Sequence, residues 1–501
     1  MRSTIKLILL FLIFITSCSR KTEEVNETII ARVADKTISK NELIRRAEYT
    51  IRPIWCRNDN YIHQKIVLNS LIAEKIMALE AGPADELMQN SEVQAYLKGR
   101  KEQAMRQVHF NKTAVQQVKL SDKDLNTAYK MAERTYSVRM IPINNDELAQ
   151  RIREDLKENK TTFDALLDEF TAATEHEIEE QKIDLNTPVD DAIYKALFMN
   201  DVTDEQVIGP LNTDKNKNVL IKVNGWIRNP VIGETRANQV EKDVRELTTE
   251  VLSRDIYAAW VAELMHGKKI QFNPETFEKF VEIIGPDYFK SSKDRENAFN
   301  KKFWNKDNNE MYLNDNAAKL EQILDKTLLT VDGETWTVRR FEEEVKVHPL
   351  VFRNRKMAKS EFSNEFRMAV ADLIRDKYIT ADAYDKGFDE NPLVERNVNM
   401  WEDNLLALYQ RQKFLKDIPS NNETPYQLVT SYFDPYLDSL RQKYADQIFI
   451  DTDQFEKIKL TAVDMFVIQR NVPFPVVVPE FPQLTTHNRL DYGNKMEGQP
   501  K

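Results

Sequence analysis

The sequence predicts a mainly α-helical protein with one small α/β domain inserted into it. Three observations carry that expectation. Glycine is scarce, 11 of 501 residues, or about 2 % against a usual ~7 %, and long stretches are rich in Glu, Lys, Leu, Gln and Ala, which favour helix. A motif of two short strands followed by helices occurs twice. Between these occurrences, residues 136 to 229 switch to a β-α-α-α-β pattern.

The chain opens on an apolar run, Leu7 to Ser17, far short of the ~20 residues needed to cross a bilayer. Arg2 and Lys6 precede it and small residues end it, the order of a secretory signal peptide. Its ending, Ile15-Thr16-Ser17-Cys18, resembles the lipobox of bacterial lipoproteins, which implies cleavage before Cys18 and lipidation of its thiol. Acyl chains, at about 0.8 kcal/mol per buried methylene, would anchor the chain stably. The polar stretch that follows reads as a tether. Ser19 is not the Asp that retains many enterobacterial lipoproteins at the inner membrane, so the expected location is the periplasmic face of the outer membrane.

Composition narrows the function classes. Without residues 1–17 the chain carries 69 basic against 81 acidic residues, a net charge of about −12, which argues against a nucleic-acid partner. Once Cys18 is lipidated, Cys56 is the one remaining thiol, so neither an intramolecular disulfide nor a zinc site of paired cysteines can form. No Walker loop, GxGxxG, HExxH or GxSxG occurs, and no metal or cofactor is expected.

"RVADKTISKNELIRRAE" near the start is answered 298 residues later by "LTVDGETWTVRRFEEEV", with Val33 matching Val331, Thr37 matching Thr335, Ile38 matching Trp336 and Leu43 matching Phe341. Each reads as a hairpin, turning over Asp35 or Gly333, and then a helix capped by Ser39 or Thr337. The second helices match at Leu71-Ile72 with Leu373-Ile374 and at Lys75 with Lys377, each with one apolar face. A third helix follows each. The ends match too, Ile270 with Ile448 and Phe277 with Phe455. A duplication is therefore expected, each late strand returning to the early hairpin of its own half.

The block from Tyr136 reads as strand "YSVRMIPI", helices "DELAQRIREDLKENK", "TFDALLDEFT" and "VDDAIYKALFMN", a "GPL" turn and strand "NVLIKVNGW". The expected division is signal peptide 1–17, tether 18–28, first repeat 29–135, inserted domain 136–229, return of the first repeat 230–285, linker 286–320, second repeat 321–418, its return 419–462, and tail 463–501. In the tail, "NVPFPVVVPEFPQL" has too many prolines for helix and must be extended. It is expected to lie across a lobe or fill a groove that a client would use, so that truncation at Arg470 raises client binding. The last residues, "NRLDYGNKMEGQPK", read as disordered.

These features in this order resemble the SurA/PrsA-type periplasmic foldases: the "VAxxxISxxEL" opening, "VKLSDKDLNTAYK" leading into "YSVRMIPI", and "GPLNTDKNKNVLIKV". In that family a split helical chaperone domain carries a parvulin-type peptidyl-prolyl isomerase domain. The resemblance implies a lipid-anchored chaperone for unfolded envelope or secreted proteins, with the chaperone part repeated. It also implies that Met140 and Val219 stand where parvulins carry two histidines, and that the glycine-containing loop is replaced by "TAATEHEIEEQKIDLN". Here His176 reads as a solvated loop residue. Rotation about a prolyl bond breaks no bond and needs mainly an apolar pocket; with both histidines gone and Pro142 inside the first strand, weak activity at most is expected. Met140, Phe198, Met199 and Val219 are the peptide-pocket candidates, and domain core is their alternative reading. Trp55, Met77, Met88, Met105, Trp260, Met265, Met368, Trp401, Leu405 and Tyr409 are candidates for a client cradle, with core again the alternative. An active isomerase and a non-catalytic scaffold subunit of an envelope assembly are the other functional readings. A homodimer is a possibility the sequence leaves open.

Overall fold

The computed structural model describes residues 27–213, 217–289, 315–354, 357–418, 423–461, 469 and 472–496. The signal peptide, Cys18 and most of the tether lie outside the described residues. The fold is mainly helical, with three small, largely antiparallel sheets.

In chain order, the hairpin β1 (Ile29–Val33) and β2 (Lys36–Ser39) leads to α1 (Lys40–Glu48), α2 (Tyr61–Ala81) and α3 (Ser91–Thr113). Helix α4 (Asp122–Ala132) precedes an α/β unit made of β3 (Arg134–Ile143), α5 (Asp146–Lys157), α6 (Phe163–Thr174), β4 (Gln181–Ile183), α7 (Asp191–Phe198), β5 (Val207–Thr213) and β6 (Lys217–Arg228). The 32-residue α8 (Glu234–Met265) leaves it, followed by β7 (Ile270–Phe272) and α9 (Pro274–Tyr288). A second hairpin, β8 (Thr327–Val331) and β9 (Glu334–Thr337), leads to α10 (Val338–Val347), α11 (Phe362–Asp385) and α12 (Pro392–Leu415), then α13 (Asp434–Lys443), β10 (Ile448–Ile450) and β11 (Asn494–Lys495).

Local chemistry sets the helix starts. Ser39 Oγ accepts from the Glu42 amide at 3.0 Å and Thr337 Oγ1 from that of Arg340 at 3.3 Å, so both caps fall where the sequence puts them. The second hairpin turn has positive φ at Asp332 and Gly333, the backbone a two-residue turn favours.

The late strands do not return to their own halves. β10 pairs with β1, Val33 opposite Ile448 and Ala31 opposite Ile450, while β7 pairs with β8, Val331 opposite Ile270 and Leu329 opposite Phe272. The matched residues thus pair in the same register, crosswise. Flanking bonds repeat as well: Ala34 N donates to Gln447 O and Asp332 N to Lys269 O, both at 2.9 Å. The third helices cross over too, α3 packing on α10 and α11, and α12 on α2 and α3. The two hairpin edges are equivalent, each accepting a late strand in the same register, so the sequence match alone does not choose the partner. At 1.5 Å per residue, α3 spans roughly 34 Å, enough to carry the chain out of the lobe it began in.

Each lobe therefore has a mixed core. One joins β1, α1 and α2 (Ile30, Leu43, Leu68, Leu71) to Phe433, Leu437 and Phe455; the other joins Phe277 and Phe280 to Trp336, Phe341, Phe366 and Ile374.

In the α/β unit the strand order is β4-β3-β6-β5. One face carries Tyr136, Val138, Ile221 and Val223 against α7 and α8; the other carries Ile141, Ile143 and Leu220 against α5 and α6. The expected β-α-α-α-β order is corrected by two strands. β4 lies inside the acidic replacement loop and pairs with β3. "GPL" belongs to β5, not a turn, and the Gly209–Pro210 peptide is cis. A Cβ on Gly209, whose φ is +104°, would stand 2.8 Å from the Val219 carbonyl. Pro142 sits where β3 has a neighbour on the β6 side alone, since β4 pairs only with residues 136–138; a proline is tolerated there.

The tail is extended but is not a loose end. Phe474, Val478, Phe481 and Leu484 are buried in three different clusters. β11 adds a parallel strand beside β10, and Met496 N donates to Ile450 O at 3.1 Å. The reading of residues 488–501 as disordered is thus corrected as far as Met496.

Candidate functional site

Three places could carry function: the α7-facing side of the β3–β6 sheet, a polar cleft between the hairpin of β1 and β2 and helix α12, and the loops that enter α2 and α11.

On the sheet, Met140 pairs with Ile221 and Pro142 with Val219, so positions 140 and 219 share one face of neighbouring strands. Met140, Phe198, Met199 and Val219 all belong to the cluster on that face. The structure thus brings the four pocket candidates together. Phe198 is fully buried between Tyr136 and Tyr194, ring centroids 5.6 and 5.3 Å away, so it is core and lines no open groove. Met140, Met199 and Val219 are half-buried. The Tyr136 hydroxyl donates to Leu197 O at 2.8 Å, and burial pushes its pKa up, so it stays neutral. The cluster on this face is apolar apart from the hydroxyls of Tyr136 and Tyr194, so the face suits apolar groups. His176 is exposed in its loop.

The cleft, about 230 Å³, is lined by Glu27, Lys36, Ser39, Glu42, Arg45, Lys75, Arg396 and Asp403, among others. Its floor is a buried ion network. Lys75 Nζ lies 2.9 Å from Asp403 Oδ2 and 3.0 Å from Glu42 Oε1, and Lys36 Nζ 2.5 Å from Asp403 Oδ1. Behind it, Arg46 binds Glu74 through two bonds of 2.7 and 2.8 Å, and Asn404 donates to Glu74 at 2.8 Å. Burial alone would lower the Lys75 pKa, but Glu42, Asp403 and Glu74 outweigh it and hold it above its usual value. Lys75 is therefore a charged strut rather than a nucleophile. Sequence periodicity missed this network because it reads apolar residues only. α2 is buried almost all round, Asn69, Ser70, Glu74 and Lys75 included, and the one available signal was Lys75 itself, shared with Lys377. Lys377 likewise pairs with Glu344.

Of the client-cradle candidates, Met77, Met105, Trp401 and Leu405 are core; Trp55, Met88, Trp260, Met265, Met368 and Tyr409 are half-buried. Among the most exposed large apolar residues are ones the sequence did not single out: Ile54 at 84 %, Ile232 at 81 %, Val351 at 65 % and Ile51 at 63 %. Among the described residues no helix is long and apolar enough to cross a membrane, and no group of His, Cys, Asp and Glu could hold a metal ion. No protein-family model matches the chain, and no curated protein matches it.

Proposed function

We propose that this chain is a lipid-anchored, extracytoplasmic chaperone of the SurA/PrsA type, with a duplicated and reciprocally closed chaperone domain, whose α/β unit is a parvulin-like domain that binds without strong isomerase activity. The observation that carries the reading is the shared sheet face. Met140 and Val219, which the resemblance sets at the positions of the parvulin histidines, share one face of adjacent strands, two residues out of register, within an apolar cluster. A domain with that apolar face suits weak, adaptable contact. Anchoring through Cys18 and a place facing the periplasm on the outer membrane complete the proposal.

The test is dilution of a urea-unfolded outer-membrane protein into buffer with equimolar chaperone, followed by light scattering. Suppressed scattering is expected; scattering equal to the blank would overturn the proposal. An apolar pocket also suits the second reading, an active isomerase. A protease-coupled assay on a prolyl tetrapeptide separates the two: a rate at blank level is expected, and a higher rate that Met140→Ala abolishes would make the unit an enzyme. For the anchor, labelled palmitate should enter the native chain and not Cys18→Ser; label retained by the variant would contradict it.

A further inference from the structure

We propose that the loops entering the two long helices, around Ile54 before α2 and around Val351 before α11, are a matched pair of docking sites for unfolded polypeptide segments in which apolar residues are flanked by Asp or Glu. This rests on the chaperone reading above and names where, and for which clients, it operates. Both loops hold the same place in element order, after a hairpin and its first helix. Each presents an exposed aliphatic side chain, Ile54 at 84 % and Val351 at 65 %, and an exposed aromatic ring lies at each patch, Tyr61 at 48 % in the first turn of α2 and Phe289 at 39 %, which follows α9 and packs on Phe362 at the start of α11. A lysine also lies over the ring at each patch, Lys65 of α2 4.7 Å from the Tyr61 centroid and Lys359, just before α11, 6.0 Å from that of Phe289. Neither lysine has an acidic partner among the described residues.

The Ile54 loop is held in this form rather than left slack. Cys56 N donates to Pro53 O at 3.0 Å, the Arg52 guanidinium to Cys56 O at 3.1 Å and Thr461 O at 2.5 Å, and Trp55 packs edge-on to Tyr426 with centroids 5.4 Å apart. On the other lobe, Phe352, beside Val351, and Phe289 both pack on Phe362, at 5.8 and 5.6 Å. A buried anchor under an exposed aliphatic tip is a surface built to be covered. Within a chain of net charge −10, an unpaired lysine at each patch selects acidic flanks on what covers it. An anionic membrane is the weaker fit, since it takes a cluster of roughly 4–8 cations to hold one.

The test uses the full chain and a labelled unstructured peptide with an apolar centre and Asp/Glu flanks, followed by fluorescence anisotropy at low salt. Two peptides per chain are expected, one in Ile54→Ser and one in Val351→Ser. The double variant should bind at least tenfold more weakly with an unchanged unfolding midpoint, and Lys65→Glu with Lys359→Glu should favour Lys-flanked peptide instead. Peptide bound equally well by the double variant would overturn the sites while leaving the chaperone reading intact. No peptide bound by the native chain, with light scattering also unsuppressed, would overturn both. Capture on phosphatidylglycerol vesicles, lost in Ile54→Ser, without any peptide binding would assign the patches to a membrane and overturn the proposal.

Discussion

Glu74 has no exposed surface and answers the equally buried Arg46. Removing one partner of such a pair leaves a charge in the core and costs about 3–5 kcal/mol. Glu74→Ala should lower the unfolding free energy by that amount in a urea titration, and Arg46→Met with Glu74→Leu should recover part of it; a cost under ~1 kcal/mol for Glu74→Ala would show that water reaches the site. His109, where α3 meets α11, makes a second prediction. His109 Nε2 lies 2.6 Å from Asp382 Oδ2, which also pairs with Lys386, and the Tyr257 hydroxyl lies 3.2 Å from Nδ1. Burial pushes the His109 pKa down, only partly offset by Asp382. Glu102, 2.5 Å from His348, and Asp382 are both held below the usual carboxylate range, their hydrogen bonds outweighing burial. All three folded values are depressed, so their contribution is present above the unfolded values, near ~6.5 for His and ~4 for the carboxylates, and is lost as pH falls. The urea midpoint should decline from pH 7 to 5 and again below about 4, and His109→Gln should flatten the first decline. An undiminished slope in that variant would contradict the assignment.

At the scale of elements, the helix caps and strand patterns were legible because they are written in local sequence, as Ser39 and Thr337 show. The tail was legible only as extended chain; its docking depends on distant partners. Asn69, inside α2, donates to the carbonyls of His487 and Arg489 at 2.8 Å each, Asp434 accepts from Thr485 and Thr486, and Arg46 reaches Glu480 O at 2.9 Å. These bonds and four buried apolar side chains, each worth about 1.5–3 kcal/mol, make the tail part of the core rather than an occupant of a client groove. Truncation after Arg470 should therefore abolish cooperative unfolding or lower the thermal midpoint sharply, and Phe481→Ala alone should cost about 3–5 kcal/mol. A truncated chain with the native midpoint would return the tail to the role of a displaceable strap.

For the whole molecule, the matching segments were legible but the way they pair was not. Ile270 and Ile448 are the same residue in equivalent settings, so matching cannot say which hairpin each will join. The candidate site was half legible in the same sense. Met140 and Val219 were picked out by the resemblance to parvulins and Phe198 and Met199 as apolar neighbours of that fold, whereas Ile54 and Val351 sit in loops that carry no periodic signal. The central structural claim is that one chain closes both lobes by exchanging its own late strands, and cysteine pairs in a Cys56→Ser background test it most directly. Arg32 faces Phe449, and Gln271, the residue equivalent to Phe449, faces Thr330. Under mild oxidation Arg32→Cys with Phe449→Cys should form a disulfide within a single chain, and Arg32→Cys with Gln271→Cys should form none. A link between positions 32 and 271, or a covalent dimer from the first pair, would contradict the exchange.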